Sequence, residues 1–350
     1  MSIAIINPGG ITNFGERAIM LGTVYQLRSQ YPTEEITIFG YQDLQAEDLK
    51  LYDELTSLDV KFQKPIIEGS GKYNRILHAA GLLLSPRSFM DESSYEYLKS
   101  SKVFSKGQES FTQDYGLTHF IDSFLEQLIV SRFNRDITLL GHSIGPIYKY
   151  GSMSRKVLDR FAMIEVRDSR SYDLLLELGY PANKITQIKD LAYTAVNEYE
   201  LDDPVSKGHY LIVPNAAICK NEQETESYIS NLTVIITRLL ERDEHVKIGS
   251  SVTSKDWNND YKLCDVLKLK FDSLEMVHYK TLDEFLIDVK SARMVISSRL
   301  HPLIMATGLD TPVFALSKSH KIKGLLGDLG LKSSIVDPFD GISEEALTKI

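Results

Sequence analysis

The segment VISSRLHPLIMATGL, residues 295–309, sets Arg299 and His301 at the corner between an apolar run and the first turns of an apolar helix. Such junctions normally exclude a fixed cation and an imidazole, so the pair points to ligand binding or proton transfer. Arg167, in IEVRDSRSYDLLLELG, falls where a strand hands over to a helix. A cation is badly placed against the positive end of a helix dipole; it either pairs with Asp168 or is there for an anion. Glu16 follows Asn13 by three residues in NPGGITNFGERAI, which fits a capping box and equally places a carboxylate where an acid or base would serve. Ser143, in LLGHSIGP, matches the G-x-S-x-G elbow of serine hydrolases. The same loop, with the Ser143 hydroxyl and backbone N–H groups as far as Gly145, also fits an anion cradle. Pro146 fits poorly with the helix that should start directly after an elbow.

The bulk of the chain limits what those residues can serve. Its 350 residues suit two domains of about 150 residues each. A net charge of −9 argues against a broad nucleic-acid face, which needs clustered Lys and Arg, but not against a small cationic pocket. Two cysteines, Cys219 and Cys264, have no metal-type spacing and read as free thiols in a reducing compartment. No metal cluster or cofactor motif stands out. The start MSIAIINPGG lacks the basic and apolar regions of a signal peptide, and no run nears the roughly 18 apolar residues of a membrane span. The expectation is a soluble, cytoplasmic protein. The closing ISEEALTKI starts like a capped helix at Ser343 and stops after barely two turns, as a cut-short chain would.

Short apolar runs alternate with longer amphipathic stretches. Strands are expected at 3–6, 36–39, 102–105, 137–140, 163–166 and 185–188, with helices such as 17–29 and 119–132 between them. A second series follows at 210–213, 246–249, 275–278, 294–296 and 313–315, with helices at 225–242 and 281–291. Asp168 or Ser169 should cap a helix that runs to Gly179. This is the βαβ grammar of parallel sheets. The acidic stretch VNEYELDDPVSKG reads as a linker, giving a Rossmann-like domain over 1–195, a linker over 196–208 and a second Rossmann-like domain over 209–350. The expected fold is α/β, two such domains facing across a cleft. Ligands of open parallel sheets bind beyond the carboxyl ends of the strands, where the residues above fall.

Taken in order, NFGERAI, GHSIGP, VRDSRSY with its Leu-rich helix, SSRLHPLIMA and HKIKGLLGDLGL resemble the polysaccharide pyruvyl transferase family from about residue 5 to 331. SSRLH followed twenty residues later by a lysine is the most specific element. The sequence departs from the family pattern at three places. Glu16 replaces an Asp, His142 replaces a Gln, and Lys106-Gly107-Gln108-Glu109 replaces a Gly-rich run.

The resemblance implies a GT-B-like pair of domains, an acceptor side in the first and a donor side in the second. It implies transfer of a pyruvyl group from phosphoenolpyruvate to two hydroxyls of a sugar, forming a ketal and releasing phosphate. The sugar would belong to a cell-surface glycan or its lipid-linked precursor; a lipid-linked acceptor is compatible with peripheral membrane association. The family's donor-binding cations fall on Arg167, His301 and Lys321, with Arg299 beside them and Ser143 and Gly145 in the donor loop. Phosphoenolpyruvate carries close to three negative charges, and charge-assisted hydrogen bonds contribute about 1.5–3 kcal/mol each. His301 is the expected acid for C3, Glu16 or His142 the base for the acceptor hydroxyl, and Lys321 the partner of the leaving phosphate. No cofactor or metal is required. The alternatives are a GT-B glycosyltransferase using a nucleotide-activated sugar, a non-catalytic assembly component, and the Ser143 hydrolase. His301 as a satisfied histidine under its helix, and Lys321 on a solvated helix face, are the structural alternatives for those residues.

Overall fold

The computed structural model describes residues 1–69, 71–114, 116–199, 201, 207–252 and 260–350. The chain divides into two compact units, one of Met1–Gly9 with Ile19–Leu191 and one of Gly10–Ala18 with Ala192–Ile350. The helix Phe14–Gln30 begins in the second unit and continues in the first.

The first unit holds β1 (Ser2–Ile6), β2 (Glu35–Phe39), β3 (Val60–Gln63), β4 (Lys102–Ser105), β5 (Glu109–Ser110), β6 (Ile137–Ile144), β7 (Met163–Val166) and β8 (Ile185–Gln187). Its sheet runs β3-β2-β1-β4-β6-β7-β8, with β5 added against β6. The second unit holds β9 (His209–Val213), β10 (Val246–Gly249), β11 (Glu275–Val277), β12 (Ala292–Ser297), β13 (Val313–Leu316) and β14 (Ile335–Val336), in the order β11-β10-β9-β12-β13-β14. Every strand pairing is parallel. Both orders are the doubly wound pattern in which the winding reverses beside the first strand. The switch points therefore lie between β1 and β4, and between β9 and β12. Strands buried on both faces read as continuous apolar runs: Ile3, Ala4, Ile5 and Ile6 are all inaccessible, as are Leu211, Ile212 and Val213.

The expected strands are all present, and three more join them. VKFQ at β3 alternates with polar residues, and β5 and β14 have two residues each, too little apolar sequence to signal a strand. Three expectations are corrected. The expected helix 119–132 is two helices, Gly116–Asp122 and Leu125–Val130; between them the Ser123 hydroxyl donates to the Phe120 carbonyl and accepts from the Phe111 N–H, competing with the helical ladder. GHSI, expected as a loop, is the end of β6, which pairs with β5 there. Residues 196–198 of the expected linker are the end of the helix Leu191–Glu198; residues 200 and 202–206 lie outside the described residues. Ser343 caps Glu344–Leu347 as expected, and Ala346, Leu347 and Ile350 are buried in the second core.

Candidate functional site

At the second unit's switch point the chain leaves β12 through Ser297, Ser298 and Arg299. The Ser297 hydroxyl donates to the Val213 carbonyl at the end of β9 (2.8 Å) and accepts from the Arg299 N–H (3.0 Å). Ser298 and the buried Tyr228 share a hydroxyl–hydroxyl bond of 2.6 Å. These contacts pin the turn that starts the helix Leu300–Gly308, with Arg299 in the extended N-cap position. The guanidinium is thus held where a helix N-terminus repels it, and a carboxylate compensates. Arg299 Nε and Nη2 donate to Asp260 Oδ2 and Oδ1 at 2.5 and 2.9 Å. Asp260 is fully buried and also accepts from the Ala216 N–H (2.8 Å) and the Ser250 hydroxyl (3.2 Å).

His301, half-buried in the first turn of that helix, lies against Gly15. A Cβ on Gly15 would stand 2.3 Å from His301 Cγ and Nδ1, so only glycine fits. Gly15 is fixed in turn. Its N–H donates to Asn13 Oδ1 (2.8 Å), Phe14 N–H donates to the Ser251 carbonyl (3.0 Å), and Asn13 bridges to Val252 beyond β10. Asn13 therefore caps the helix, as its sequence position suggested. Glu16 is half-buried in the same first turn, next to the glycine that carries the imidazole. The second unit thus brings Arg299, His301 and Glu16 to one end of its sheet. Lys321, half-buried, lies in the first turn of His320–Asp328, after β13, the strand beside β12.

In the first unit, Arg167 is nearly inaccessible at the end of β7. The sequence suggested Asp168 as its partner, but the ion pair is with Asp190, from Nη1 to Oδ2 at 2.7 Å. Asp168 instead caps the helix Ser169–Glu177 by accepting from the Ser171 N–H, and also accepts from the Ser143 hydroxyl at 2.7 Å. Arg167 Nε donates to that same hydroxyl oxygen (2.7 Å). Ser143 is therefore a relay between cation and carboxylate. It sits inside a strand, and the next helix starts only at Gly151, so the strand–turn–helix geometry of a nucleophile elbow is missing. The N–H groups of Ser143, Ile144 and Gly145 donate to Gln108 O, Ser171 Oγ and Ser110 O, so the expected backbone anion cradle is not formed.

His142 is fully buried. Gly141, at φ +72°, makes the bulge in β6 that turns the imidazole inward. One ring nitrogen meets Ser110 Oγ at 2.6 Å and the other the Ser105 carbonyl at 3.1 Å. Burial pushes its pKa down to about 3, against the Ser105 bond and with help from the charges of Arg167 and Lys106. The imidazole is neutral at physiological pH.

The sequence reading passed over Asp260, Asp190 and Glu126, and named Lys106 only as a departure from the family pattern. Asp260 and Asp190 each directly precede a helix, so either looks like a cap; yet Asp260 makes no side-chain cap bond. Lys106, fully buried directly after β4, and Glu126 flank the first unit's switch point. Asn7, at φ +58° directly after β1, donates its N–H to Glu126 Oε2 at 2.9 Å. Burial raises the Glu126 pKa to about 7, opposed by that N–H and by Arg75. A glutamate followed by Gln127, whose amide donates to Ser105 Oγ, carries no sequence signature of this role. Among the described residues no group of His, Cys, Asp and Glu is placed to hold a metal ion.

A family model described as polysaccharide pyruvyl transferase matches residues 13–320. The chain belongs to that family. Membership in the pyruvyl transferases makes it a transferase. The matched span includes Glu16, His142, Ser143, Gly145, Arg167, Arg299 and His301, and ends one residue before Lys321. The chain is 22% identical over 381 aligned positions to the amylovoran biosynthesis protein AmsJ of Erwinia amylovora, covering 96% of this chain and 88% of AmsJ. Among solved structures it is similar to the UDP-GlcNAc 2-epimerase of Methanocaldococcus jannaschii, with TM-score 0.62, 14% identity and coverage of 100% and 91%. It is also similar to a putative UDP-N-acetylglucosamine 2-epimerase of Listeria monocytogenes, with TM-score 0.64, 12% identity and coverage of 99% and 86%. At such identities the epimerases show the fold alone. This pyruvyl transferase has the GT-B-like architecture of two Rossmann-like units.

Proposed function

We propose that this pyruvyl transferase moves the pyruvyl group of phosphoenolpyruvate onto two hydroxyls of a sugar destined for an exopolysaccharide, forming a cyclic ketal. The observation that carries the reading is the Arg299–His301 corner. A doubly held guanidinium and an imidazole seated on Gly15 stand together at the switch point of the second unit's sheet. The similarity to AmsJ supports an exopolysaccharide precursor as acceptor.

The chemistry assigns work to each group. A proton added to C3 of the enol ether leaves positive charge at C2, which the first sugar hydroxyl attacks. The second hydroxyl then replaces phosphate at C2. Of the two hydroxyl protons, one balances the new methyl group and the other leaves with phosphate. His301 is the proton donor to C3, and Glu16, in the turn that carries Gly15, is the base for the hydroxyl. Arg299 holds the donor carboxylate or phosphate as a planar fork, and Lys321 neutralises the departing phosphate. Arg167 is the donor-binding cation of the first unit, with Ser143 setting its orientation. His142, buried and neutral, organises β4, β5 and β6 around it.

The deciding experiment incubates the protein with phosphoenolpyruvate and a panel of lipid-linked and free saccharides under mass spectrometry. Phosphate release coupled to an acceptor gain of pyruvate less water is the expected result. Turnover that requires a nucleotide-activated sugar and releases a nucleotide would replace this reading with glycosyl transfer.

A further inference from the structure

The helix Leu125–Val130 starts at the switch point of the first unit's sheet. Two consecutive side chains of its first turn reach the ends of the two strands that flank that point. Glu126 Oε2 accepts the Asn7 N–H directly after β1 (2.9 Å), and the Gln127 amide donates to Ser105 Oγ at the end of β4 (2.9 Å). The chain leaves β1 through a fixed turn. Asn7 has φ +58°, and the carbonyl of the next residue, Pro8, accepts from the Tyr41 hydroxyl at 2.9 Å. Asn7 is half-buried, yet its side-chain Nδ2 is inaccessible and has no hydrogen-bond partner. A donor in that state costs free energy until a ligand or a water supplies an acceptor.

Holding the Asn7 N–H does not by itself call for a carboxyl, since a glutamine would accept the same bond without a charge. Glu126 is instead kept half-buried, and burial lifts its pKa to about 7 against the Asn7 N–H and the charge of Arg75. Its ionised form therefore opposes folding at neutral pH. A group retained at such a cost, at the ligand end of a parallel sheet, fits a binding role.

The carboxylate also narrows what is bound. It repels phosphate and carboxylate groups, and the first unit's cations act elsewhere. Arg167 follows β7, two strands beyond β4, and the Lys106 charge acts on His142 in β6. Neutral hydroxyls match a carboxylate acceptor and an amide donor together. Glu126 is bonded to the backbone of the same residue that carries the amide, so one sugar ring can span both groups.

We infer that Asn7 and Glu126 are the first unit's seat for the acceptor sugar, with Asn7 Nδ2 donating to one ring hydroxyl and the Glu126 carboxylate accepting from another. The inference takes its ligand class from the pyruvyl transfer reading, on which it rests, and adds the residues that recognise the sugar. Both groups bind and orient, and no proton transfer is assigned to them.

The test is saturation-transfer NMR of the full-length protein with methyl α-glucoside, methyl β-galactoside and methyl α-mannoside, in the absence of phosphoenolpyruvate. The expected result is transfer to at least one hexoside, bound about fivefold more tightly at pH 8 than at pH 6 as the carboxyl ionises. Glu126→Gln should weaken that binding about fivefold at pH 8 and remove its pH dependence. Asn7→Gly tolerates the φ of +58° and should weaken binding about threefold or more at both pH values. It also serves as the second variant should the first fail to fold. Wild-type protein that transfers to none of the hexosides overturns the inference. So do wild-type affinity and an unchanged pH profile in the folded variants, which would leave Glu126 a purely structural acceptor. Calorimetry of the wild type with phosphoenolpyruvate reads the donor separately. Hexoside binding without phosphoenolpyruvate binding would count against pyruvyl transfer and not against this seat.

Discussion

Arg299 and Asp260 form a two-point ion pair, Nε to Oδ2 and Nη2 to Oδ1, in which the carboxylate is completely buried. The pair fixes the plane of the guanidinium before any ligand arrives, which is what selective binding of a planar carboxylate or a phosphate face needs. Asp260→Asn should leave the cation without its counter-charge. Breaking a buried pair costs about 3–5 kcal/mol, and a misaligned fork should raise KM for phosphoenolpyruvate about 10–100-fold. Denaturant titration and steady-state kinetics read both. Arg299→Lys should not rescue binding, since an ammonium cannot span both oxygens.

Gly15→Ala should disable the imidazole without touching it chemically. The new Cβ would overlap the His301 ring and also its Cβ, at 2.6 Å, so the imidazole must move together with the backbone that carries it. kcat should fall about 100-fold or more. His301→Ala alone should abolish turnover and keep the fold. In the double variant the contacts with Cγ and Nδ1 go while the one with the Cβ at position 301, 2.6 Å, stays, so the stability cost of Gly15→Ala should shrink without vanishing. Additive stability effects across that cycle would show that the two residues do not compete for space.

Arg167→Ala and Lys321→Ala should mainly raise KM for the donor. Arg167 loses an ion pair with a nearly inaccessible Asp190, so its variant should also unfold about 3 kcal/mol more easily. Ser143→Ala removes only the relay between Arg167 and Asp168 and should keep turnover within about tenfold of wild type. Complete loss of activity in Ser143→Ala would restore the nucleophile reading.

Two buried groups give opposite pH dependences. The His142 pKa is held at about 3 against a usual 6.5. Its stabilising contribution is complete above about pH 6.5 and is lost as pH falls from there toward 3, because the unfolded chain takes a proton the folded one refuses. The Glu126 pKa is raised to about 7 from 4.5. Its contribution is complete below about pH 4.5 and is lost as pH rises to 7. Between pH 7.5 and 5.5 each should contribute about 1–2 kcal/mol with opposite sign. Urea midpoints of His142→Gln and Glu126→Gln, taken at both pH values, separate them. The first variant should gain stability relative to wild type at pH 5.5, the second should gain at pH 7.5. Parallel profiles in all three proteins would refute both assignments.

Much of the fold was legible because a parallel strand buried on both faces must be apolar along its length. IAII, YLIV and VFAL could be placed without coordinates. VKFQ and ES could not, because an edge strand and a two-residue strand bury too little to leave a pattern. GHSI was misread as a loop: its glycine and polar residues look like a turn until β5 is seen to pair with it. The cations of the candidate site were visible because Arg167 and Arg299 are anomalous where they stand. Asp190 and Asp260 were not, because an aspartate before a helix is ordinary.

The chain by itself determined two doubly wound α/β units, and the placement of Arg167 and of Arg299 each directly after the carboxyl end of a strand in its own unit. Those follow from period, hydropathy and the misfit of charge with helix dipole, all of which act between near neighbours. Only the tertiary structure decided that Arg299 is gripped by Asp260, thirty-nine positions away, that His301 rests on Gly15, and that His142 is buried and neutral. Such pairings depend on which strand ends the winding order brings together, and on how much water the packed core excludes around each group.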